Sequence, residues 1–320
     1  MRRRQLIGLL SAAATWPLTA RAQQAAMPVI GMLSMGSATS DFDAAFDRGL
    51  AERGYVFGKN VTKEARRAQG NYDKLAELAK ELVSLNPTLI VASGNVAALA
   101  ARRATSTVPI VFIIASDPVK IGLAKNLAHP GGNATGISML TATLTLKRLE
   151  LIRELLPPNA TVGLLVNPEN KDLLLEIEEI ARSTGQSLEV AEARNPDDLE
   201  PAFAQLSKAQ VGAVLVGNDA GFLAQRAQIV ALAKRHSLPA TYEFREFPAV
   251  GGLMSYGPSV AGALQKAGTY AALILKGAQP SDLPIEQPTA FELVINSTTA
   301  RSLGIQIPAS LLLRANEVIE

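Results

Sequence analysis

Six short polar clusters stand directly after apolar runs, and they carry most of the chemistry in this sequence. They are Ser34-Met35-Gly36-Ser37, Ser93-Gly94-Asn95, Ser116-Asp117, Asn167-Pro168-Glu169-Asn170, Gly217-Asn218-Asp219 and Tyr242-Glu243. Their residue types suit non-covalent recognition. Small residues just before a helix leave backbone N–H groups free at its positive end, which favours a carboxylate. Ser93-Gly94-Asn95 is the sharpest such cluster, although Ser93 or Asn95 would equally serve as an ordinary N-cap. Asp117 and Asp219 are candidates to pair with a ligand ammonium group. The competing role for Asp117 is a turn before Pro118, and for Asp219 a helix cap. Asn167 is a candidate amide donor or the first residue of an Asn-Pro turn. Tyr242 offers a face for a flat ligand, with core packing as its rival.

Catalytic signatures are missing. The chain has no G-x-G-x-x-G, no phosphate-binding G-x-x-x-x-G-K-[ST] and no G-x-S-x-G nucleophile elbow. It has no cysteine, which excludes disulfides, zinc-thiolate sites and a thiol nucleophile. Of its two histidines, His129 lies in a His-Pro-Gly-Gly turn and His236 follows a helical run. Neither has a partner at metal or triad spacing, so no cofactor, metal or enzymatic activity is expected.

Repeated βα units must position the clusters. Val29–Ser34, Thr88–Ala92 and Pro109–Ile114 are apolar enough to be buried on both faces, as in a parallel sheet. Helical patterns at 42–53, 75–83 and 95–105 separate them, the second with apolar residues at Leu75, Leu78, Ala79, Leu82 and Val83. The pattern then recurs. Gly163 stands 132 residues after Gly31, Gly217 124 after Ser93, and Pro239 130 after Pro109, each in a matching context. An offset that drifts so little indicates two α/β lobes of like topology. In open parallel sheets ligands bind beyond the carboxyl ends of the strands, which is where all six clusters fall. Three further extended stretches, at 131–138, 251–257 and 291–296, are expected to carry the chain between lobes as a three-crossover hinge. The expected lobes are 27–136 plus 255–290, and 137–254 plus 291–320.

Residues 1–22 read as a signal peptide. Arg2, Arg3 and Arg4 precede an apolar stretch from Gln5 to Leu18, and Ala20-Arg21-Ala22 supplies a small-x-small cleavage site before Gln23. Arg3-Arg4-Gln5-Leu6-Ile7 also has a partial twin-arginine pattern. The segment holds four arginines and no acid, so its removal takes the net charge from +2 to −2. No basic stripe for nucleic acid remains, and no other apolar run reaches transmembrane length. A soluble, monomeric, periplasmic protein is expected.

Several motifs resemble one family. Ser116-Asp117-Pro118-Val119 with Gly122-Leu123-Ala124, Pro130-Gly131-Gly132-Asn133-Ala134-Thr135-Gly136, Phe291-Glu292-Leu293-Val294-Ile295-Asn296 and the segments Tyr242–Phe247 and Gly252–Pro258 resemble ABC-transporter substrate-binding proteins related to bacterial tryptophan- and tyrosine-binding proteins. The resemblance spans the whole chain. It implies the type I periplasmic-binding-protein fold: two Rossmann-like doubly wound lobes, three crossovers and a ligand cleft. It also implies a permease partner in the inner membrane. Members with amino-acid ligands tend to show Asp-Asn and then a hydroxyl residue at the start of the second lobe's helix. Here the order is Asn218-Asp219-Ala220. The fold alone would also allow a ligand-sensing receptor or regulator domain, or a small-molecule hydrolase.

Overall fold

The computed structural model describes residues 27–36, 40–139, 144–170 and 188–320, with Leu174, Leu175, Glu179, Arg182 and Gly185 from the stretch between. Ser37 and residues 1–22, singled out above, lie outside the described residues.

The first lobe begins with β1 (Val29–Ser34), α1 (Ser40–Ala51), β2 (Thr62–Arg67), α2 (Leu75–Ser84) and β3 (Leu89–Ser93). It continues through α3 (Asn95–Ala104), β4 (Ile110–Ile114) and β5 (Ala134–Ser138). The strands form one parallel sheet in the order β2-β1-β3-β4-β5. β4 is buried at every position because helices cover both faces of the sheet. The polar edge strand β2 escapes the apolar-run pattern, since an edge needs only partial burial.

The second lobe repeats the plan. It runs α4 (Thr145–Arg153), β6 (Val162–Val166), β7 (Leu188–Glu192), α5 (Leu199–Lys208), β8 (Ala213–Val216), α6 (Ala220–Ala224), α7 (Arg226–Arg235), β9 (Ala240–Tyr242), α8 (Glu246–Ala249) and β10 (Met254–Gly257). Its parallel strands follow the order β7-β6-β8-β9-β10, the same order as in the first lobe. α9 (Val260–Leu275) returns to the first lobe and packs along α1. The chain then comes back through β11 (Glu292–Asn296), α10 (Ser297–Ser302), α11 (Ala309–Leu312) and β12 (Glu317–Ile319). β11 is antiparallel to β10, and β12 is parallel to β11.

The chain passes between lobes three times, after β5, after β10 and after Glu286. The extended stretches expected to be the crossings are themselves sheet strands. The expected boundaries at 136/137 and 254/255 cut through β5 and β10, whose ladder pairing continues to Ser138 and Gly257. The crossings begin where those strands end. Glu286 pairs with Gly136 and Ser138 through backbone hydrogen bonds of 3.0 and 2.9 Å, laying the third crossing beside the first.

One apolar cluster, with Phe46, Val91 and Val111 in the first lobe and Phe203, Val214 and Phe222 in the second, is continuous across both. Separate clusters fill the outer faces of the two sheets. The lobes are closed on one another. No helix among the described residues is long and apolar enough to cross a membrane.

Candidate functional site

β3 ends at Ser93, and Gly94 turns the chain directly into α3. Gly94 has φ 101° and is the N-cap of α3, with no side-chain cap hydrogen bond. Asn95 does not cap. Its Nδ2 donates to Ser116 Oγ at 2.7 Å, and its Oδ1 accepts from the Ala115 and Ser116 N–H groups at 3.0 and 3.3 Å. The first-turn amides of α3 therefore keep their capacity to donate, at the positive end of a ten-residue helix. Ser93, Gly94, Asn95, Val96 and Ala97 line a cavity of about 750 Å³, its open mouth included.

The opposite wall comes from the second lobe. β8 leads into Gly217-Asn218-Asp219, and Asn218 and Asp219 line the same cavity, with Glu169 and Asn170 beside them. Asn170 Nδ2 donates to the Asn218 carbonyl at 2.8 Å and ties the two loops together. Asp219 does cap α6, since its Oδ1 accepts from Phe222 N–H at 3.0 Å. Its Oδ2 accepts from Asn167 Nδ2 at 3.3 Å and from the Tyr72 hydroxyl of the first lobe. Burial raises the Asp219 carboxyl above its ordinary range, opposed by these donors. Burial, and then the neighbouring Asp219 charge, push the Tyr72 phenol well up. Among the described residues Asp219 makes no ion pair, so the cavity holds a buried carboxylate without a counter-charge.

Apolar side chains complete the cavity, among them Met35, Ile113, Met139, Phe244, Val260 and Leu264. Closure brings the Gly94 backbone close against the Ala220 side chain. A Cβ added at Gly94 would stand 2.9 Å from Ala220 Cβ of the other lobe. Arg194 of the second lobe holds both Asp73 oxygens of the first, at 2.6 and 3.2 Å, and Glu169 at 2.9 Å. This exposed fork is screened by salt and contributes little by itself.

The expected site residues separate into groups. Ser93, Gly94, Asn95, Asn218 and Asp219 come together around the cavity, and Ser34 lines an adjoining chamber. Asp117 does not reach it: its Oδ1 accepts from Val119 and Lys120 N–H at 2.8 and 3.4 Å, the turn-forming role. Asn167 sits behind Asp219 as support, its Oδ1 accepting from Glu169 N–H at 3.0 Å. Tyr242 is 1% exposed and stacks on Phe247 with ring centroids 4.5 Å apart, so it belongs to the core and not to the cavity. Tyr72 lies outside the clusters that the sequence pattern selects. It follows β2, and the strand-end rule would have selected it had that polar strand been recognised.

Two like lobes meeting over a cavity, with polar groups from facing strand ends and an apolar interior, define a protein built to bind a small molecule. Residues 28–319 match the ABC transporter substrate binding protein family, and the chain belongs to it. A tyrosine-binding protein of Clostridioides difficile (strain R20291) is 25% identical over 264 residues, covering 82% of this chain and 76% of that protein. A Streptococcus pneumonia domain solved in complex with L-Trp superposes with a TM-score of 0.79 at 28% identity, covering 91% of this chain and 99% of the other. A periplasmic binding protein/LacI transcriptional regulator from Alkaliphilus metalliredigens shares the fold, with a TM-score of 0.54 at 12% identity over 83% of this chain and 96% of its own. This chain is thus an extracytoplasmic solute-binding component of an ABC transporter, from a family of binding proteins rather than enzymes.

Proposed function

We propose that the protein captures an amino-acid-like or aromatic carboxylate ligand in the periplasm and delivers it to an inner-membrane permease. The carrying observation is the pairing within one cavity of the uncapped α3 N-terminus and the buried Asp219, which makes no ion pair among the described residues. A ligand carboxylate would meet the α3 amides, and an ammonium group would meet Asp219. The apolar part would lie among Met35, Phe244 and Val260. The tyrosine- and tryptophan-related names of its relatives support the same class. Because the ligand touches both lobes, it binds the closed form better and shifts the population toward it. Export by cleavage before Gln23 accompanies this reading. The family match adds nothing in favour of the twin-arginine route, which is not proposed.

Asp219→Asn is the test. Asn is as good a helix cap as Asp, so the fold is spared. Affinity for an amino acid such as L-tryptophan should fall about tenfold to a hundredfold, the worth of a charge-assisted contact of ~1.5–3 kcal/mol. Affinity for indole-3-propionate, which lacks the ammonium group, should fall clearly less, by no more than the closure energy that the Tyr72–Asp219 bond supplies. Calorimetry giving equal dissociation constants for the amino acid in both proteins would retire Asp219 from the site.

A further inference from the structure

Beside this cavity, with Met35 common to both, lies a second chamber of about 850 Å³, its mouth included. The two share Met35, Ser93, Ala220, Leu223, Val260 and Leu264, so they adjoin between the lobes. Phe42, Phe46 and Val91 make the chamber's wall apolar on the first-lobe side. Its charged lining differs from that of the first cavity, with Arg67 from the first lobe, Arg226 from the second, and Asp43. Asp43 is shared between two cations, Lys63 at 3.3 Å and Arg67 at 3.7 Å. Arg226 makes no ion pair among the described residues, and its Nη1 donates to the Leu223 carbonyl at 3.1 Å. Its charge reaches buried Glu246 without an ion-pair contact.

We propose that this second chamber is a subsite for an acidic group at the far end of the ligand's apolar side chain, received by Arg226 and Arg67. The inference rests on the proposed reading for the head of the ligand and adds the class of its tail. The preferred ligand is then an amphipathic compound with anionic groups at both ends of an apolar body. A guanidinium presents several donors in a planar fork that matches a carboxylate, and such bonds are roughly twice as strong as neutral ones. With a wholly apolar tail, Arg226 would be partly desolvated on closure and would gain no charged partner to offset that cost.

Two probes differing only at the tail decide it: 4-carboxy-L-phenylalanine and 4-methyl-L-phenylalanine, titrated calorimetrically with L-tryptophan as reference. In the wild-type protein the carboxylate should bind at least about tenfold more tightly than the methyl compound. In Arg226→Met, and to a lesser degree Arg67→Met, that preference should collapse. Affinity for the methyl probe should hold or rise, because no guanidinium is then buried against its tail, and this also reports that the variants fold. Equal or tighter wild-type binding of the methyl compound, or a preference that survives both substitutions, overturns the subsite. If L-tryptophan binds and neither para-substituted probe does, the subsite is likewise overturned. If no amino acid binds at all, the underlying reading of the head group falls instead.

Discussion

Tyr72 and Asp219 stand in different lobes and share one hydrogen bond, with the phenol as donor and the carboxylate Oδ2 as acceptor. Both line the cavity, so the carboxylate proposed to meet a ligand also helps to hold the lobes closed. Tyr72→Phe keeps the ring packed and removes only this bond. Ligand affinity should fall about fivefold to thirtyfold, from ~1–2 kcal/mol of lost closure energy, with little change in melting temperature. Small-angle scattering of the ligand-free variant should show a more open particle. An unchanged dissociation constant would mean that the bond contributes nothing to closure.

Gly94 limits how tightly the lobes approach. Its φ of 101° is costly for any residue with a Cβ, and an added Cβ would press on Ala220 of the other lobe. Gly94→Ala should therefore cost about 1–3 kcal/mol in stability from the backbone alone. It should weaken ligand binding by about tenfold or more, because full closure is blocked. A variant that binds normally would show that the lobes close by a different path.

Asp219 also sets a pH dependence. Burial raises its carboxyl above the ordinary 3.8. An acid with a raised folded pKa contributes stability that is full below its unfolded value and is lost as pH rises through the folded one. A ligand ammonium group, in contrast, favours the ionised form. Affinity for an amino acid should thus fall as pH drops through that window, while the Asp219 contribution to ligand-free stability rises. Asp219→Asn should flatten both trends when the two proteins are compared across pH by calorimetry and thermal melting. Parallel curves for the two would rule the carboxyl out as the titrating group.

The first lobe depends on a glycine contact between α1 and α9. A Cβ at Gly268 would collide with the Phe46 carbonyl and stand 2.9 Å from Leu50 N. Backbone cannot yield as a side chain can, so Gly268→Ala should destabilise by about 1–3 kcal/mol or more. The helices would have to separate. Denaturant unfolding measures the loss, and a change below about 0.5 kcal/mol would show that the interface adjusts freely.

Much of this molecule is readable from local pattern. Strands β1, β3, β4, β6 and β8 are apolar because both faces of a parallel sheet are covered, and the repeated spacing reflects two lobes with the same strand order. That topology also dictates that loops at the strand ends collect on one side. The placement of Ser93-Gly94-Asn95 and Asn218-Asp219 at strand ends that line one cavity follows from that pattern.

The tertiary structure decided the remainder. β2, of sequence TKEARR, is held by backbone ladder bonds to β1 and needs no apolar run, so its strand end and Tyr72 left no pattern to read. Tyr242 closes a strand end as the others do, yet its ring turns under Phe247, because side-chain direction follows the packing of α8 and not position along the chain. Asn95 and Asp219 look alike as helix-start residues, but only Asp219 caps its helix, and Asn95 is drawn to the Ala115-Ser116 loop of the neighbouring strand. Sequence determines which residues each lobe brings to its strand ends, since that follows from hydrogen-bonding and burial within about thirty residues of chain. Which of them meet across the cleft depends on three crossings and a hinge angle, and these are settled by contacts between residues as distant as Tyr72 and Asp219.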